Sequence, residues 1–178
     1  LCHSPDDRVG PLRFCGGDKD RLLAALCALV LFPGMPCIFY GTELPLDGGG
    51  DPDCRRTFDW TFASQDEEYF SRYKQILALK KEACAQNGNT EIGAKNGLLI
   101  IVRESACERL TAVFNTETAR SFACAGELLY GQNYDGKTLG SNGVFVYKEK
   151  KVMTEKLLQE LKEYDAAGKD IKTLYTEI

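Results

Sequence analysis

Histidine and tryptophan occur once each, as His3 and Trp60, and methionine twice in 178 residues. With a single imidazole, and no Cys-x-x-Cys pair among eight cysteines, a zinc centre of the usual Cys/His kind is not expected, and no metal or other cofactor is called for. Basic residues are not in excess either. Lys and Arg total 22 against 26 Asp and Glu, a net charge of −4, and no basic cluster offsets that sign, so nucleic acid is not the expected partner. A membrane is not expected either, because the longest apolar run, residues 22–32, is too short to span a bilayer. No signal peptide opens the sequence. The first residue is Leu1 rather than Met, which reads as a piece cut from a longer chain and leaves the leader of any parent undetermined. Cys27 and Cys37 lie inside apolar runs where a free thiol behaves as a small hydrophobe, so reduced cysteines and a cytoplasmic setting are expected. Repeats and low-complexity tracts are absent.

What is present is ordinary for a globular protein: 44% hydrophobic and 27% charged residues. Such a length suits one medium domain or two small ones, burying roughly 70% of the unfolded surface. The most unusual stretch is 47–60, DGGGDPDCRRTFDW, too polar and glycine-rich for a core helix or strand. Consecutive glycines let backbone approach a ligand closely, and Pro52 holds Asp51 toward an extended conformation. Asp51 offers two acceptor oxygens and Arg55 a planar donor fork, a combination that grips vicinal hydroxyls or an anion. Phe58 and Trp60 add apolar faces on which a sugar ring could stack. The competing reading is an exposed turn whose Asp and Arg satisfy each other.

Residues 1–17 hold three glycines and two prolines and are expected to be mostly loop, carrying His3, Ser4, Asp6, Asp7 and Arg8. Asp18 is a candidate N-cap for a helix over 19–32, stopped by Pro33 and Gly34. Apolar residues surround more than one side of that helix, which implies burial on several faces. The run 35–40, MPCIFY, reads as a buried parallel strand. Helix, turn, strand and long loop form one repeat of an α/β barrel, whose functional residues sit at the carboxyl ends of strands. A second helix is expected over 66–85, with acids in its first turn and lysines late, ended by Asn87, Gly88 and Asn89. Its stripe is Tyr69, Tyr73, Ile76, Leu77 and Lys80. From about residue 90, short β-rich runs at 97–104, 109–115, 119–125, 126–130 and 143–148 alternate with Asn96-Gly97, Asp135-Gly136 and Asn142-Gly143 turn signals. That pattern predicts a small antiparallel sandwich or meander. A docked terminal helix is expected from Thr154 to Tyr164.

Three stretches together, FCGGDK at 14–19, LFPGMPCIFYGTE at 31–43 and GGGDPDCRR at 48–56 followed by Trp60, resemble the C-terminal end of an α-amylase superfamily glycoside hydrolase. The similarity is to the neopullulanase, cyclomaltodextrinase and maltogenic amylase branch, in order and spacing, over residues 1 to about 86. A looser likeness continues through GELLYG at 126–131 into the small β-domain that follows the barrel.

The resemblance implies an α/β-plus-all-β chain. Residues 1–87 would be the end of a (β/α)8 barrel, 88–149 a β-sandwich and 150–178 a helical tail. It implies a retaining hydrolase acting on α-1,4, or also α-1,6, glucosidic bonds of maltodextrins, cyclodextrins or pullulan through three carboxylates. Asp6 matches the acid that stabilises the transition state, and Asp51 and Arg55 match substrate contacts. The nucleophile and the proton donor would lie on upstream strands, so this stretch alone is expected to be inactive. The family places His directly before the matching Asp; here Pro5 stands there, and His3 lies two positions earlier. Two rival readings remain: a non-catalytic glucan-binding or scaffold module that has kept the barrel end, and an amylase-like interaction protein of the transporter heavy-chain type. With few barrel strands present, an open sheet edge is expected to drive aggregation, assembly into a homo-oligomer, or self-coverage.

Overall fold

The computed structural model describes residues 10–55, 57–58, 60–61 and 66–151. Four helices precede a sheet: α1 (Pro11–Phe14), α2 (Lys19–Leu31), α3 (Glu67–Leu79) and α4 (Ala83–Asn87). Six strands follow: β1 (Asn89–Lys95), β2 (Leu98–Glu104), β3 (Glu108–Asn115), β4 (Arg120–Ser121), β5 (Glu127–Tyr134) and β6 (Thr138–Lys150). Asp6 and the segment expected to form a terminal helix lie outside the described residues.

Helix α2 starts where the sequence signals it. Asp18 is the N-cap, its Oδ1 accepting from the amides of Asp20 (2.9 Å) and Arg21 (3.1 Å). Leu22, Leu23, Leu26, Cys27, Val30 and Leu31 are all buried. Those positions cover far more than one narrow stripe, because α2 packs on α3 and also on β2 and β6. The second helix breaks earlier than expected. It ends at Leu79, and α4 resumes at Ala83. Lys80, expected on the packed stripe, bridges two segments: its Nζ donates to the carbonyls of Phe32 (3.2 Å), just past α2, and of Ala85 (3.4 Å) in α4. Asp66 caps α3 by accepting from the Tyr69 amide at 3.0 Å, and pairs with Lys19 of α2.

The described strands form one connected antiparallel sheet, in the order β1-β2-β3-β6-β4 with β5 also on β6. The expected antiparallel β-domain is present, and one strand links all of its parts. That strand is β6, thirteen residues long, whose second half pairs with β3 and β5 and whose first half pairs with β4 and the end of β5. Register shifts in β5 between Leu128 and Tyr130 and between Gln132 and Tyr134 accompany that change of partner. Alternation then sorts the side chains. Leu110, Ala112, Phe114, Val144 and Val146 join the core beneath the helices, whereas Val113, Phe145 and Tyr147 pack on the other face with Phe122 and Tyr134.

Two turn signals behave as the sequence implies. Asn96 and Gly97 both have positive φ, 52° and 72°, and join β1 to β2 in a two-residue hairpin. Gly136, at φ 94°, turns β5 into β6, with the Asp135 carboxylate accepting from the amides of Lys137 (2.8 Å) and Thr138 (2.6 Å). Asn142-Gly143 is not a turn between strands; Asn142, at φ 52°, lies inside β6. β1 carries no continuous apolar pattern because nearly all its residues are exposed, which is why the sequence hides it. The run 119–125 yields only the two residues of β4.

The expected parallel strand at 35–40 is not formed. These residues lie outside every strand, Met35 is 94% exposed, and the described residues contain no other parallel strand beside which they could pair. A parallel strand needs neighbours to take its backbone hydrogen bonds. Ahead of β1, the described residues accordingly form helices and connecting loops alone.

Helices and sheet are joined by a buried amide. Gln132 Nε2 donates to the carbonyls of Asp20 and Asn142, both at 2.8 Å, while its Oε1 accepts from the Tyr130 hydroxyl at 3.0 Å. Replacing Gln132 by Met strands the buried Tyr130 hydroxyl and two part-buried carbonyls, and with about 1–3 kcal/mol for a fully buried unsatisfied group chemical denaturation should show a loss of about 2–4 kcal/mol. A loss under about 0.5 kcal/mol would mean that water satisfies those groups. Asp66 provides a pH signature. The hydrogen bond from Lys19, then that from the Tyr69 amide, hold its carboxyl below the ordinary value of 3.8 against some burial. Its stabilising contribution is therefore complete above the unfolded-state value and vanishes as pH falls through the depressed one. Thermal midpoints measured down an acid series should fall less steeply for Asp66→Asn than for the unaltered protein.

Candidate functional site

Downstream of α2 the chain turns sharply twice before reaching the glycine-rich loop. Gly41, at φ 85°, accepts at its carbonyl the amides of Leu44 (3.2 Å) and Leu46 (3.0 Å), and a Cβ there would sit 2.6 Å from Leu46 Cδ1. Thr42 folds back on Phe39, donating its Oγ1 hydroxyl to that carbonyl at 2.6 Å. The Thr42 carbonyl in turn accepts the buried Tyr69 hydroxyl at 2.8 Å, which ties the turn to α3. Burial, chiefly, pushes the Tyr69 phenol well above its ordinary value, so it remains a neutral donor.

The loop itself is compact. Gly10 donates its amide to the Gly48 carbonyl at 2.8 Å, and a Cβ on Gly48 would lie 2.9 Å from Cys54 Cα, so the backbones meet too closely for a side chain. Asp53 and Arg55 belong to a 3-10 turn, with the Asp53 amide donating to Gly50 (2.8 Å) and the Arg55 amide to Pro52 (2.9 Å). The Asp53 carboxylate reaches back to accept the Gly49 amide at 2.6 Å. Arg13 of α1 grips Asp47 bidentately, Nε to Oδ1 at 3.1 Å and Nη2 to Oδ2 at 2.8 Å.

Asp51 and Arg55 are brought together in an ion pair across one turn of the loop, so in the unliganded chain they satisfy each other as the competing reading expects. Arg55 is the more exposed of the two, at 57% against 33% for Asp51. The hydrogen bond to Asp51 is the main reason the Arg55 guanidinium is held above its ordinary value. Gly50 beside them has open space where a Cβ would project. Phe58 and Trp60 stack at a tilt, centroids 4.5 Å apart and planes at 59°, with Trp60 80% exposed. Between loop and turn lies a hollow of about 20 Å³, room for roughly one water, lined by Gly10, Phe39, Tyr40, Leu46, Asp47 and Asp53. Among the described residues no cluster of His, Cys, Asp and Glu could hold a metal ion, and no helix is long and apolar enough to cross a membrane.

Arg13 is the site residue that sequence reasoning misses. Its partner lies 34 positions away, and nothing local to α1 marks the pairing. Asp47 and Asp53 stand in plain view on either side of the glycines, yet only geometry separates their roles from that of Asp51.

No family model matches the chain. Among curated proteins it is 38% identical over 71 residues to a cyclomaltodextrinase of Geobacillus thermopakistaniensis, covering 40% of this chain and 12% of that protein. It is 38% identical over 68 residues to a maltogenic alpha-amylase of Bacillus acidopullulyticus, and 35% over 69 residues to neopullulanase 2 of Thermoactinomyces vulgaris. These two matches cover 38% and 39% of this chain and 12% of each relative. The chain thus spans about an eighth of the length of these relatives, from the 12% coverage. Its fold matches the ligand-free cyclic alpha-maltosyl-(1→6)-maltose hydrolase of Arthrobacter globiformis with a TM-score of 0.68 at 22% identity, over 82% of this chain and 33% of that one. In sequence over part of its length, and in fold over most of it, the chain is similar to the cyclomaltodextrinase, maltogenic amylase and neopullulanase branch of α-amylase-type enzymes.

Proposed function

We propose that this chain is the C-terminal part of a retaining α-glucan hydrolase, and that its loop 47–55 binds glucose units of the substrate through Asp51 and Arg55. Residues 1–87 are then the end of a (β/α)8 barrel and 88–149 the β-domain that follows. The observation that carries the reading is the Asp51–Arg55 pair, solvent-accessible in a loop where Gly48 lies close against the Cys54 backbone and Gly50 leaves open space beside the pair. Two acceptor oxygens and a donor fork beside an exposed aromatic ring suit a sugar with adjacent hydroxyls. Residues 35–39 belong to no strand among the described residues, and their apolar composition suits a barrel strand whose neighbours belong to upstream chain. In that frame Asp6 serves as the transition-state-stabilising acid, while nucleophile and proton donor come from upstream. A cytoplasmic setting agrees with relatives such as the intracellular maltogenic amylase of Bacillus subtilis.

The sole tryptophan provides the assay. Titration of the chain with maltohexaose should change Trp60 fluorescence saturably. Asp51→Ala or Arg55→Ala should weaken that binding at least tenfold, since one charge-assisted contact contributes about 1.5–3 kcal/mol. Unchanged affinity in both variants would reduce the pair to a loop support. For the hydrolytic half, the chain alone should release no reducing sugar from maltodextrin. A chimera carrying residues 1–87 in place of the matching stretch of the Bacillus subtilis enzyme should hydrolyse it, and should lose that activity on Asp6→Asn. Retention of full activity by the Asp6→Asn chimera would refute the role given to Asp6.

A further inference from the structure

Loop 47–55 has no regular hydrogen-bond ladder and little apolar burial, so something else must fix where Asp51 and Arg55 point. Among the described residues three contacts hold the loop, one from α1, one from its N-cap and one within the loop. Gly10 takes the Gly48 carbonyl at 2.8 Å, Arg13 takes both oxygens of Asp47, and Asp53 takes the Gly49 amide at 2.6 Å. Arg13 pairs with Asp47 and comes near enough to Asp53 to feel its charge. A Cβ on Gly49 would sit 3.2 Å from Arg13 Nη1 and 3.0 Å from Asp53 Oδ2, so guanidinium and carboxylate close over the same backbone point from two directions. Both acids hold the Arg13 guanidinium above its ordinary value, Asp47 foremost and Asp53 less.

The geometry points to Arg13 as a positioning residue for the Asp51–Arg55 glucan contact, an inference that rests on the reading above. Its planar fork spans the start of the loop at Asp47 and lies against the turn at Asp53. Asp51 and Arg55 sit at either side of that turn, so releasing it lets the pair swing. A lysine keeps the charge and loses the fork. Arg13 touches no sugar in this scheme; it acts through the loop.

Amide hydrogen exchange on the 178-residue chain, with and without maltohexaose, tests it. In Arg13→Ala the amides of Gly49 and Asp53 should exchange at least tenfold faster, while those of Ile101 and Val146 in the sheet core stay as they were. Maltohexaose affinity, read from Trp60, should fall at least tenfold in step, and Arg13→Lys should lie between. Should Arg13→Ala fail to fold, Arg13→Lys alone carries the comparison, with exchange and affinity each shifted at least threefold. Unchanged exchange at Gly49 and Asp53, or faster exchange with unchanged affinity, overturns the proposal. If the unaltered chain does not bind maltohexaose although exchange responds to Arg13, the glucan reading fails, and the positioning role with it, for a reason separable from the loop contact.

Discussion

One buried carboxamide decides how the two halves of this molecule meet. Gln132 sits on β5 with 2% of its surface exposed, and its amide group is shared between a carbonyl at the first turn of α2 and a carbonyl of β6. Around it the contacts continue: Asn142 donates to Asp18 at 3.1 Å, and Asn133 donates to Asp20 at 3.1 Å. Asp18 therefore works twice, capping α2 with one oxygen and binding the sheet with the other. Apolar packing beneath α2 supplies most of the attraction, at about 1.5–3 kcal/mol for each fully buried Leu or Val, but it is non-directional. The polar seam sets the rotation and register of helix on sheet, because buried donors and acceptors tolerate few alternatives.

From that seam a short path leads to the glycine-rich loop. Asp18 follows directly on α1 through Gly16 and Gly17, both at positive φ, and α1 presents Gly10 and Arg13 to the loop. A rigid sheet thus reaches the candidate sugar contacts through two glycines and one arginine. On the far side, Arg103 performs a comparable service. Its buried guanidinium donates to the Ala85 carbonyl at 3.1 Å and to Thr90, fastening the end of α4 to β1 and β2. Burial lowers its guanidinium pKa from the ordinary value.

Helix α2, its cap, the Asn96-Gly97 hairpin and the Asp51–Arg55 pair were legible because each is signalled within a few residues: a cap before an apolar run, a turn dipeptide, an acid and a base four apart. What was hidden depends on distant partners. β1 lacks an apolar rhythm since it is an exposed edge, and the break after Leu79 falls where Lys80 reaches carbonyls of two other segments. The run 35–40 has the composition of a strand, yet a strand exists only beside another strand, and the described residues offer it none. Arg13 escaped for the same reason: its meaning lies wholly in Asp47 and Asp53.

The length and place of β6 bear on the order in which the structure can come together. It is the last of the described strands, and it supplies a partner to β3, β4 and β5 alike. As the chain leaves the ribosome, only the β1–β2–β3 meander can zip from local contacts. Everything else in the sheet waits for residues 138–150, including the Asn142 contacts that set α2 in place. Until then the apolar faces of α2 and β3 have no final cover, and a nascent chain halted before residue 138 would present them to the cell as a ready surface for chaperones.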